Sequence, residues 1–147
     1  MTRANEGRET VVSFTEEERA AMKERSKEVK AARRGKVKDE EPAVLEKIAE
    51  MTGEDRVLAE RLHALVKANA PELKPRLWYG MPAYGKDGKA TVFFQPAVKF
   101  KARYATIGFN EEAELDDGEM WPTAYALIRL NAEVEARITE LLKRVAG

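Results

Sequence analysis

The pattern of apolar positions divides the chain into helical ends and a strand-rich middle. Thr15 followed by Glu18 is a capping box, in which side chains and backbone amides satisfy each other across the first turn. Glu16, Glu17 and Glu18 then sit at the positive end of the helix dipole. Lys30, Arg33 and Arg34 sit near its negative end, with Gly35 as C-cap. This predicts a helix over residues 15–34. Its apolar stripe is thin, Ala21 or Met22 with Val29 and Ala32, so it gains little from packing. It reads as an arm lying on the domain or meeting a partner chain. Pro42 opens a second helix where its missing N–H costs nothing, with Val44, Leu45, Ile48 and Met51 on one face. A third helix spans residues 55–70, with Leu58, Leu62, Leu65 and Val66 inward, and Pro71 stops it. Asn131 caps the last helix, whose inner face is Val134, Ile138, Leu141, Leu142 and Val145.

Between these helices the period changes from helical to strand-like. Residues 77–79 form a first run, and Gly80-Met81-Pro82 breaks it. Pro82 pushes Met81 toward an extended conformation, so a bend separates that run from residues 83–86. Lys86-Asp87-Gly88-Lys89 then places Asp-Gly where a two-residue hairpin turn needs positive φ. Residues 90–95 are dense in β-branched and aromatic side chains, which suit a pleated surface, and Pro96 ends the strand. Residues 104–109 and 125–129 read as further strands. The expected fold is therefore α+β: a small antiparallel sheet of about five strands flanked by helices. An N-terminal helical arm precedes it. Residues 1–12 are expected to be a disordered tail, 13–41 the arm and a charged linker, and 42–147 the domain.

The 147 residues suit one domain, and a chain of this size buries about 68–70% of its unfolded surface without staples. The absence of Cys excludes disulfides, thiolate metal sites and thiol nucleophiles. It fits a reducing, cytoplasmic compartment. Lys+Arg and Asp+Glu are 26 each, so no basic excess advertises nucleic acid. No apolar run is long enough for a secretion signal or a membrane span.

Trp78-Tyr79-Gly80-Met81-Pro82-Ala83-Tyr84, then Val92-Phe93-Phe94, then Ile107-Gly108-Phe109 and Leu115 resemble the YdhG-like family of small bacterial domains. The resemblance extends over residues 44–145 in order of elements. It implies an α+β domain with a small antiparallel sheet. Some relatives are described as frataxin-like iron chaperones. Lys101, Ala102 and Arg103 stand here where many relatives carry a His before the Ile-Gly-Phe strand.

The candidate chemistry is spread along the chain. Glu111, Glu112, Glu114, Asp116, Asp117 and Glu119 would bind a hard cation such as iron through oxygens, or form a solvated acidic turn. The single His63 borders the apolar face of its helix, as a general base or as a half-buried structural residue. Lys99, Lys101 and Arg103 alternate with Phe100, Ala102 and Tyr104. If extended, they would grip an anion or make a basic edge that discourages pairing. Lys30, Arg33, Arg34, Lys36 and Lys38 would touch nucleic acid or only complement a helix end. Trp78, Tyr79, Tyr84, Phe93, Phe94, Phe100, Tyr104, Trp121 and Tyr125 form either ordinary core or an aromatic concavity for a small molecule. Met81 and Pro82 belong to that ligand set, as do Lys101 and Arg103. No nucleophile–base pair or metal triad can be assembled. The expected function is non-enzymatic handling of a small ligand or iron. The alternatives are an interaction or homo-oligomerising module working through the N-terminal helix, and an enzyme of unassigned reaction.

Overall fold

A computed structural model describes residues 15–33 and 39–147. The expected disordered tail, the Gly35 C-cap, the inward roles of Val29 and Ala32 and the basic run from Lys30 to Lys38 fall outside the residues and side chains described. The described residues form four helices: α1 (Glu16–Arg33), α2 (Glu41–Glu50), α3 (Gly53–Asn69) and α4 (Ala132–Ala146). Five strands, β1 (Lys74–Trp78), β2 (Met81–Gly85), β3 (Val92–Gln95), β4 (Ala105–Phe109) and β5 (Ala124–Leu127), pair antiparallel in chain order. The α+β expectation holds.

Local signals account for the helix ends. Thr15 N donates to Glu18 Oε1 and Glu18 N donates to Thr15 Oγ1, both at 3.0 Å, completing the capping box. Asn131 accepts from Val134 N at 2.9 Å. Strand alternation gives the sheet two unlike faces. Tyr84, Val92, Phe94, Ala105, Ile107, Phe109 and Leu127 join Val44, Ile48, Leu58, Leu62, Val66, Ile138 and Leu142 in one buried core beneath the helices. Leu45, expected inside, is 47% exposed and lies off that stripe.

The turn between β1 and β2 falls one residue earlier than the sequence suggested. Tyr79 (φ 53°) and Gly80 (φ 75°) both have positive φ, the signature of a two-residue primed turn whose twist matches the strands it joins. Met81 and Pro82 therefore lie inside β2 rather than in a bend. Pro82 is tolerated because the β2–β3 register covers only Ala83 and Tyr84, and its missing N–H lies where that ladder stops. Asp87 (φ 54°) and Gly88 (φ 75°) make the second primed turn as expected. Tyr84 pairs with Val92 across it, which leaves one more residue on the returning side than on the outgoing side, a β-bulge.

The alternating stripe of Lys99, Lys101 and Arg103 is not extended. Residues 97–101 wind into a compact turn. The buried Asp55 carboxylate accepts from Ala97 N at 3.0 Å and Val98 N at 2.9 Å. Lys101 N closes the turn on the Val98 carbonyl at 3.1 Å. A carboxylate spent on two backbone donors outweighs the strand propensity of the segment it caps.

Helix α1 lies on this domain, against the β1–β2 turn. Of its described apolar side chains only Ala21 is buried. Among the described residues the core cluster beneath draws no member from it. Deleting residues 1–34 is expected to leave a core that unfolds in a single urea transition. A molten or insoluble truncation would show that α1 carries more of the fold than its burial indicates.

Candidate functional site

The second face of the sheet carries the site. Along β1 the two-residue period places Arg76 and Trp78 on this face. The register then sets Arg76 opposite Ala83, Ala83 opposite Phe93, and Phe93 opposite Gly108. Gly108 has no side chain, so the Phe93 ring lies across it; a Cβ there would collide with that ring. Held down in this way, Phe93 meets Trp78 with ring centroids 5.0 Å apart and tilted by 44°. Tyr79 meets Trp78 edge-on at 4.9 Å. The result is a half-buried aromatic floor assembled from β1, β3 and the β1–β2 turn.

Cations stand beside Trp78, the ring of that set that reaches the adjoining cleft. A cleft of about 510 Å³ is lined by Trp78 together with Arg25 of α1, Arg76 of β1 and Lys89 after the hairpin turn. Asn110 completes one side, and Glu111 and Glu112 lie at the rim. Three cations against two carboxylates leave the lining net positive. Arg76 uses its Nε–H on the Leu77 carbonyl at 3.3 Å. Arg25 is the unusual member. Its guanidinium carbon stands 5.6 Å from the Tyr79 ring centroid. Its Nη1 is buried with no hydrogen-bond acceptor among the described residues. The nearest carboxylate oxygen, Glu28 Oε1, is 3.6 Å away, too far for a hydrogen bond. A buried guanidinium nitrogen without an acceptor is costly.

Polar contacts place Arg25. Glu28, one turn along α1, accepts from Tyr79 N at 3.2 Å and Gly80 N at 3.1 Å. These two N–H groups project from a positive-φ turn, a concavity that attracts anions. Burial pushes the Glu28 carboxyl above the usual carboxylate range, while the Gly80 and Tyr79 N–H groups pull it back down. Nearer the N-terminus, Glu24 lies 3.3 Å from both Lys99 Nζ and Lys47 Nζ, and Glu17 lies 2.8 Å from Lys101 Nζ.

A separate polar network sits under the helices. His63 Nδ1 is 2.8 Å from the Tyr84 hydroxyl, and its Nε2 is 2.8 Å from Glu41 Oε2. Lys67 reaches the same carboxylate at 2.8 Å. The hydrogen bonds from Lys67 and His63 hold the Glu41 carboxyl below its ordinary value. An ionised carboxylate only accepts, so His63 Nε2 donates to Glu41 while Nδ1 meets the Tyr84 hydroxyl. Burial, with the charge of Glu41 second, pushes the Tyr84 phenol far above its usual range. Both imidazole nitrogens are therefore committed, and the phenol is held neutral: the arrangement of a structural network.

The structure scatters the residues expected to bind a ligand. Tyr84, Phe94 and Pro82 are fully buried and Met81 nearly so, which removes them from any surface concavity. Trp78 and Tyr79 belong to the open face. Lys101 is paired with Glu17, and Arg103 stacks over Tyr104 at 5.1 Å. Trp121 lines another cleft, of about 420 Å³, with Glu111, Glu114 and Asp116. Glu112 faces the Trp78 cleft and Asp117 is exposed. Glu111, Glu114 and Asp116 thus share one cleft, and Glu112 and Asp117 lie apart from it. Among the described residues no three His, Asp or Glu side chains gather into a set fit to hold a metal ion. Sequence reasoning missed Arg76, Lys89 and Arg25. The strand period around Trp78 could have found Arg76; the other two arrive through the hairpin and α1. Comparison with protein-family models, with curated proteins and with solved structures finds no match. Among the described residues, no helix is long and apolar enough to cross a membrane.

Proposed function

We propose that this chain is a non-enzymatic, YdhG-like cytoplasmic domain that binds a small aromatic anion on the open face of its sheet. The observation that carries the proposal is the Trp78 cleft, where the Trp78 ring, braced by Phe93 and Tyr79, meets Arg25, Arg76 and Lys89. Aromatic rings with a few convergent polar groups are the usual composition of small-molecule sites. Guanidinium groups suit carboxylate, sulfonate or phosphate oxygens, because their N–H donors form a fixed fork. Trp78 supplies the apolar contact, and its electron-rich ring also favours the cations that flank it. The lack of a metal-fit group of three carboxylates or imidazoles among the described residues favours this reading over iron handling.

Anilinonaphthalene sulfonate is a planar aromatic anion that tests the chemistry without knowledge of the physiological ligand. The folded protein is expected to bind it saturably and to bind neutral phenylnaphthylamine much less. Arg76→Ala is expected to weaken dye binding about tenfold to a hundredfold, the equivalent of about 1.5–3 kcal/mol for a charge-assisted hydrogen bond. Equal binding of the neutral dye, or an Arg76→Ala variant that binds like the parent, would refute the proposal.

A further inference from the structure

Helix α1 contributes to the Trp78 cleft from outside the sheet, and among the described residues its attachment is almost wholly polar. Arg25 reaches the cleft only from this helix. Among the described residues the polar contacts are Glu28 on the Tyr79 and Gly80 N–H groups, Glu24 between Lys47 and Lys99, and Glu17 on Lys101. Apart from Ala21, no described apolar side chain of α1 is buried. The Glu24 pairs are part-buried and the Glu17 pair has its lysine in solvent, and ion pairs that water still reaches each contribute modestly. Such an attachment is weak enough for a bound ligand to shift its equilibrium. Glu28 differs from the others: its side chain is only 9% exposed, and it caps the turn carrying Tyr79, over whose ring Arg25 lies. The buried Arg25 Nη1 still has no acceptor among the described residues when α1 is docked. The docked helix thus holds the Arg25 side chain at the cleft wall, over the Tyr79 ring.

We propose that α1 is a strap that completes the anion site, with Glu28 as the positioning residue that docks it and Arg25 as the residue it delivers. The proposal rests on the Trp78 cleft being the ligand seat. Ligand binding and strap docking then form one coupled equilibrium, and each favours the other by the same factor. Glu28 does not touch the ligand; it acts through Arg25.

The test uses the full chain with anilinonaphthalene sulfonate as probe. Arg25→Ala and Glu28→Ala are each expected to weaken dye binding about tenfold. The double variant is expected to lose little more than either alone, because both changes remove the same contact. Independently of affinity, saturating dye is expected to slow amide hydrogen exchange in α1 of the parent protein but not of Arg25→Ala. Glu17→Gln, a change remote from the cleft, is expected to weaken binding mildly and to raise exchange in α1. Circular dichroism melts establish that each variant is folded, and Glu28→Gln replaces Glu28→Ala if that variant is not. The outcomes separate the strap from the site itself. Loss of binding in Arg76→Ala with parent-like binding in folded Glu28 variants overturns the strap and leaves the site standing. Dye that binds without altering exchange in α1 also overturns the strap. A parent protein that binds no dye overturns the site, and the strap with it.

Discussion

Gly85→Ala is expected to destabilise the protein by about 3 kcal/mol, the upper end of what overpacking a well-filled site costs. Gly85 ends β2 and is buried, and the returning chain passes directly over it. A Cβ built on Gly85 would collide with the carbonyl oxygen and carbon of Lys89. These are backbone atoms, so no rotamer change relieves the clash. The origin is the β-bulge: the extra residue on the returning side throws Lys89 inward across the Gly85 position. Relief requires the turn at Asp87 and Gly88 to open, which breaks the Lys89 N bond to the Lys86 carbonyl at 3.0 Å. A domain of this size has about 5–15 kcal/mol of stability in all, so the loss should be plain in a urea melt at unchanged slope. A midpoint within error of the parent would show that the hairpin accommodates a methyl group by a small shift.

Gly80→Val is expected to cost about 2 kcal/mol or more. Gly80 has φ 75°, where a β-branched residue is strained, and strained backbone of this kind costs about 1–3 kcal/mol. A Cβ there would also meet Glu24 Oε1 and Lys99 Nζ. These are ends of flexible side chains and can move away. Their departure gives up the Glu24–Lys99 pair and the Lys99 bond to the Gly80 carbonyl at 3.3 Å. The variant should therefore melt earlier and also release α1. Pro82→Ala should cost less, about 1 kcal/mol or below, since alanine adopts the same φ and the loss is chiefly of unfolded-state restriction. Thermal and urea melts of both variants check the order. Parent-like melting of Gly80→Val would show that positive φ is not required there.

Much of the fold was legible because its signals are local. Thr15 and Glu18, Asp87 and Gly88, Asn131, and the periodic apolar residues of α3 and α4 each act within a few positions. The differences arose where a distant partner decides. Residues 97–101 have strand-like side chains, but Asp55, more than forty positions earlier, caps two of their amides. The partner that orients His63 is Glu41, 22 positions upstream, and no spacing rule points to it. Pro82 read as a strand breaker because nothing local says that the ladder on its N–H side has already ended. The site was legible in one half only. Trp78 stood out as an aromatic, whereas the cations around it belong to three segments that meet only through the hairpin register and the docking of α1.

The most direct measurement is energy transfer from Trp78 to bound anilinonaphthalene sulfonate in a Trp121→Phe protein, where Trp78 is the remaining tryptophan of two. The account predicts strong, saturable transfer that falls in step with affinity when Arg76 or Arg25 is replaced by Ala. Dye that binds with no transfer from Trp78, or with transfer indifferent to both arginines, would place the ligand elsewhere and contradict it.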